Sequence, residues 1–124
     1  MMKSTNEDMT INTDKMIDAT LRMLGLSQSY KGFNYLIYAI NLVLEDPAIL
    51  TYICKDLYSE IAIYYKTSIN CAERNIRTAK EVIWHNSNTD VLKNIFGDQY
   101  DSKIPCNAVF IDKLAYYIRL LLSQ

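Results

Sequence analysis

Apolar residues recur at steps of three and four along most of this chain, and no segment sustains the period-two alternation of a half-buried strand. Met16, Ile17, Leu21 and Leu24 form one side of a first helix, which Asn12, Thr13 or Asp14 is expected to cap and Gly25 to stop. From Lys31 to Glu45 the positions Phe33, Leu36, Ile37, Ile40, Val43 and Leu44 predict a strongly amphipathic second helix. Asp46-Pro47 then reads as a restart, because proline fits the first helical turn, where its missing N–H is not needed. Ile49, Leu50, Ile53, Cys54 and Leu57 extend an apolar face, and Ser59 offers a second start before Ile61, Ala62 and Tyr65. One bent helix and two separate helices both fit this stretch.

The segment from Leu57 to Trp84 reads as two helices on either side of a tight polar turn. In the second of them Ile69, Ala72, Ile76, Ala79 and Ile83 make an apolar stripe, while Asn70, Arg74, Arg77 and Glu81 make a parallel polar one. One face is core; the other is free to enter a DNA groove. Asn70 with Glu73 three residues on has the form of a capping box, in which each side chain satisfies a free backbone N–H. His85 to Asn88 ends this helix. Asn88 or Thr89 caps a short helix through Val91, Leu92, Ile95 and Phe96, closed by Gly97, and a polar loop runs from Asp98 to Pro105. A last amphipathic helix from Asn107 carries Phe110, Ile111, Leu114, Ala115, Ile118, Leu121 and Leu122. The expected architecture is an all-α domain of six or seven helices over residues 14–124, containing a helix-turn-helix, behind a polar, mobile arm at residues 1–13.

With 124 residues, half of them apolar, the chain needs neither disulfide nor metal to build a core. Cys54, Cys71 and Cys106 are odd in number and widely spaced, which fits reduced thiols in the cytoplasm. The N-terminus lacks a signal-peptide apolar region and no later run is long enough to span a bilayer, so no membrane role is expected. A net charge of −1 and a pI near 5.7 depart from the basic footprint usual for nucleic-acid binders.

Tyr30-Lys31-Gly32-Phe33-Asn34-Tyr35-Leu36, Leu57-Tyr58 with Ile61-Ala62, Glu73-Arg74 with Ile76-Arg77, Glu81-Val82 with Trp84, and Phe96-Gly97 occur in an order and at spacings that resemble a known family. It is the C-terminal effector domain of the sporulation-initiation response regulator, the stage-zero sporulation protein A family, and the resemblance runs from about Ile17 to Leu120. It implies a six-helix domain whose central helix-turn-helix places its second helix in the major groove, on tandem boxes upstream of promoters. In the family a phosphorylated receiver domain controls this activity. Here only a short arm precedes the first helix, so control by phosphorylation is expected to be lost, replaced, or carried by a part of the protein outside this stretch of sequence.

Arg74 and Arg77 match arginines of the family's recognition helix, and each guanidinium can donate two parallel hydrogen bonds to guanine O6 and N7. The bland reading pairs them with Glu73 and Glu81 as a solvated face. Glu73, also matched, can orient Arg77, accept from a cytosine amine, or serve only as a cap partner. Thr67, Ser68 and Asn70 lie where the helix N-terminus would meet a phosphate, and Lys66 and Lys80 are further phosphate candidates. The expected partner is double-stranded DNA, with RNA polymerase or a homologous regulator as protein partners and a dimer on tandem sites.

Departures from the family pattern point elsewhere. Cys71 stands for an arginine, Thr78 for a histidine, Ile63 and Tyr64 for two lysines, and Asn86 for another arginine, so the reading face is less basic and more apolar. Ten tyrosines include the adjacent pairs Tyr64-Tyr65 and Tyr116-Tyr117, whose members cannot all be internal. Exposed aromatics favour protein interfaces, so the alternative is a receiver-less, protein-binding modulator of a sporulation-type regulator. Catalysis is not expected: His85 is the only histidine, and no nucleophile-base pair, metal set or cofactor motif is present in the sequence. Cys71 at a helix N-terminus is either a redox-sensitive thiol or an inert, half-exposed one. Trp84 is expected to anchor the recognition helix to the scaffold.

Overall fold

A computed structural model describes residues 2–97 and 103–124, with side chains from residue 10 onward. Six α-helices follow one another among the described residues: α1 (Met2–Met23), α2 (Lys31–Glu45), α3 (Ser59–Tyr64), α4 (Ile69–Asn86), α5 (Thr89–Phe96) and α6 (Asn107–Leu122). There is no strand among them. The loop expected from Asp98 to Pro105 falls mostly outside the described residues.

Helix α2 is the centre of the packing, touching α1, α4 and α6, while α5 closes on α6. Its buried stripe of Phe33, Leu36, Ile40 and Val43 meets Ile17 and Leu21 of α1, the inner face of α4, and Phe110, Ile111, Leu114 and Ile118 of α6 in one continuous core. Trp84 of α4 stands edge-on to Phe96 with ring centroids 5.0 Å apart, and Phe96 stacks on Phe110 at 5.4 Å. Trp84 thereby ties α4 to both C-terminal helices. The end of α4 is held at α1 by the Ser87 hydroxyl, which donates to the Leu24 carbonyl.

Several local expectations are corrected. Helix α1 begins at Met2 and runs through residues 2–13, so no cap forms at Asn12 to Asp14. The Asp14 carboxylate instead accepts from Asn41 Nδ2 of α2 at 2.7 Å, a tertiary bond in place of a local one. The C-terminal stop is as expected: with Gly25 at φ 85°, its N–H reaches Arg22 O and the Leu26 N–H reaches Leu21 O, the bond pair of a Schellman motif.

Between α2 and α3 the chain takes neither of the two simple routes. Asp46 caps a 3₁₀ turn, Pro47–Leu50, accepting from Ala48 N at 3.1 Å, and a π-helical turn, Ile53–Tyr58, runs straight into α3. Helix α3 starts at Ser59, as the spacing predicts, but Ser59 does not cap it: its hydroxyl donates back to the Lys55 carbonyl. The wider π turn rephases the apolar face, which puts Leu57 and Tyr58 in the core and leaves Cys54 exposed.

Candidate nucleic-acid interface

Helices α3 and α4 are joined by residues 65–68, and the turn is built on backbone hydrogen bonds. Lys66 N bonds Ile63 O and Thr67 N bonds Ala62 O, again a Schellman pair, with Lys66 in the left-handed region at φ 54°. Ser68 is the N-cap of α4, its hydroxyl accepting from Cys71 N at 3.0 Å. The expected Asn70–Glu73 box does not form, because the helix starts at Ile69 and Asn70 already lies inside the first turn.

The two stripes of α4 separate as the spacing requires. Ala72, Ile76, Ala79 and Ile83 are fully buried, and Asn70, Arg74, Arg77 and Glu81 are exposed on the opposite side. Ile69, expected in the core, is 39% exposed, since the helix begins there and the packed layer starts a turn later. Gly32 sets how closely α4 sits on its support: a Cβ at that position would lie 2.7 Å from Ala79 Cβ and would press on the Asn75 carbonyl. Helix α4 rests directly on the backbone of α2.

Arg74 has no ion pair among the described residues and extends into solvent. Arg77 donates through Nη1 to Glu73 Oε2 at 3.1 Å, an i,i+4 pair with both side chains substantially exposed. Such a pair contributes at most about 0.5 kcal/mol, so a stronger ligand can release the arginine. Glu73 is thus the partner of Arg77 and not of Asn70.

Lys80 is the clearest correction among the site residues. It is only 7% exposed, and its ammonium donates to the Pro105 carbonyl at 2.8 Å, facing the start of α6. Burial pushes its pKa down, against the pull of the Cys106 and Glu81 charges. A phosphate outside the domain is beyond its reach. Lys66 is exposed at the turn, whereas Thr67 is half-buried beside Tyr35 in the same cleft.

Around this turn the surface is aromatic. Ile63 and Tyr64 are 74% and 63% exposed, and Tyr64 lies on Tyr38 at 4.6 Å, with Tyr65 wedged between Tyr35 and Tyr38. The Cys71 thiol is held below its ordinary pKa, first by the Thr67 hydrogen bond and then by the Lys31 and Arg74 charges, with burial opposing. Lys31 therefore belongs to the electrostatics of this face, although it lies far away in sequence. The Tyr30-Lys31-Gly32 motif was the available signal; only the packing of α2 on α4 brings it here.

No helix among the described residues is long and apolar enough to cross a membrane, and no group of three or more potential metal-ligating side chains occurs among them. A helical domain in which an exposed arginine stripe follows a turn built as above is the arrangement of a helix-turn-helix DNA reader. The family model described as "Sporulation initiation factor Spo0A C terminal" matches residues 17–118, nearly the whole helical core, and this chain belongs to that family of all-α, DNA-binding effector domains of a sporulation regulator.

Proposed function

We propose that this domain binds double-stranded DNA sequence-specifically and regulates transcription, with α4 in the major groove. The observation that carries the reading is the outward projection of Arg74 and Arg77 from a helix whose other face, Ala72 to Ile83, is locked into the core. Arg74 and Arg77 read guanine edges, with Glu73 releasing Arg77 or accepting from a neighbouring cytosine. Lys66, Ser68 and Asn70 hold phosphates at the helix N-terminus, and Thr67 supports them from beside Tyr35. A net charge of −1 makes the non-specific electrostatic contribution small, so affinity depends on these few contacts.

A fluorescence titration against a family-type box and a scrambled duplex, at several salt concentrations, tests the proposal. Arg74→Ala and Arg77→Ala are each expected to remove about 1–3 kcal/mol of discrimination at one base position. Equal weakening on both duplexes would make these side chains phosphate contacts only.

The exposed Ile63 and Tyr64 support a second reading, in which the domain modulates a homologous regulator or RNA polymerase through this aromatic edge. Binding without sequence preference, together with a complex abolished by Tyr64→Ser, would favour it. Association of two copies on tandem boxes is compatible with either reading and is tested by the stoichiometry of the titration.

A further inference from the structure

Where the first turn of α2 meets the α3–α4 turn there is a cleft of about 310 Å³, lined by Lys31, Asn34, Tyr35, Tyr65, Lys66 and Thr67. Its size is at the small end for organic ligands. Two lysines, two tyrosines, an asparagine and a threonine line it, and no acidic residue does. The adjoining cleft, which shares Asn34 and Tyr65, is lined by Asp14, Lys15 and Asp18, so carboxylates enter only on the far side of those two residues. The lysines approach from different elements, Lys31 from α2 and Lys66 from the left-handed turn residue. Tyr35 and Thr67 line it beside them, and the Tyr65 phenol donates to the Asn34 carbonyl at 3.4 Å, tying two of the lining residues together.

We propose that this cleft is a phosphate-oxygen site, in which Lys31 and Lys66 close on one backbone phosphate of the bound duplex. The inference rests on the DNA-binding reading and deepens it: a helix outside the helix-turn-helix contributes a clamp beside the reading helix. Ammonium donors carry no base information, so the clamp positions the duplex and adds affinity equally for every sequence. It also offsets the apolar Ile63 and Tyr64 on the same edge, which supply no cation.

The test uses Lys31→Gln, Lys66→Gln and the double variant, with Lys55→Gln as a control, since Lys55 lines a different cleft beside Asp56 and Glu60. Titrations on the box and the scrambled duplex across salt concentrations are expected to lose about 0.9 from the log-log salt slope for Lys31→Gln. Both duplexes should weaken by the same factor, leaving their ratio unaltered, and Lys31→Arg should restore the slope. Thermal melts separate binding from folding. A wild-type chain that binds duplex while Lys31→Gln keeps its slope overturns this inference alone; a wild-type chain that binds no duplex overturns the DNA reading and this clamp with it. Inorganic phosphate, followed by amide shifts at Lys31 and Thr67, is the second arm: saturable binding lost in Lys31→Gln, with duplex affinity unmoved, would assign the cleft to a free anion and reject the DNA clamp.

Discussion

Gly32 of α2 lies against the main chain of α4 so closely that a methyl group on it would come within 3.1 Å of the Asn75 carbonyl carbon, and nearer still to its oxygen. Two effects of Gly32→Ala therefore oppose one another. Helix propensity favours alanine by about 1 kcal/mol, while forcing backbone away from backbone costs about 1–3 kcal/mol. Because the neighbour is a carbonyl and not a flexible side-chain tip, the clash wins. Gly32→Ala is expected to lower the chemical denaturation midpoint and to weaken duplex binding by tilting α4. A stabilised variant would mean the two helices separate freely.

Lys66 supplies the opposite case. Its φ of 54° is a conformation that costs an L-residue about 1–2 kcal/mol, and its side chain is exposed. Glycine removes that cost but loses about 0.5–1 kcal/mol more backbone entropy on folding. Lys66→Gly should raise stability by about 0.5–1 kcal/mol, read from thermal melts, while reducing the salt dependence of duplex binding. Stability and affinity then move in opposite directions in one variant.

Lys80→Met tests the reassignment of that residue. Its ammonium is spent on the Pro105 carbonyl, so the variant should leave the salt slope of duplex binding unchanged. Stability should shift by no more than about 1 kcal/mol, since a desolvated charge is exchanged for an apolar chain of similar volume at the loss of one hydrogen bond. A slope reduced by about one would return Lys80 to the phosphate contacts.

Tyr58, with Asn107, makes the largest of several alkaline contributions, since burial raises the phenols of Tyr35, Tyr38 and Tyr65 as well. The Tyr58 hydroxyl accepts from Asn107 Nδ2 at 2.8 Å, and burial pushes the phenol up to about 12. A folded pKa above the unfolded value near 10 means that the contribution is complete below pH 10 and is lost as pH rises through 12. Lys80, whose pKa is lowered, works the other way, adding stability as pH climbs towards 10.5. The tyrosine shift is the larger, so denaturation between pH 10 and 12 should show a net loss on the order of 2 kcal/mol. Tyr58→Phe should flatten that loss, with tyrosinate absorbance losing its latest-titrating group. An unchanged slope would place the ionising group elsewhere.

How much of this was legible in advance follows from which residues depend on their neighbours in sequence and which on partners across the fold. The bounds of α2 and α5, the Gly25 stop and the inner stripe of α4 from Ala72 to Ile83 follow from periodicity and from turn chemistry. Local spacing alone also sends Arg74 and Arg77 outward, because residues opposite a buried stripe have no other direction.

Tertiary packing decided the rest. Capping preferences amount to about 1 kcal/mol, so Asp14 could bond Asn41 while α1 ran through it, and Ser68 rather than Asn70 became the cap once the turn was fixed by the Ala62 and Ile63 carbonyls. Periodicity places Lys80 on a helix but not beneath Pro105, 25 residues away, and it cannot foresee that Lys31 and Lys66 meet across one cleft. Sequence spacing determines the direction in which a side chain leaves its own helix; what lies over it, and so whether a charge faces water or protein, is decided only when the helices dock.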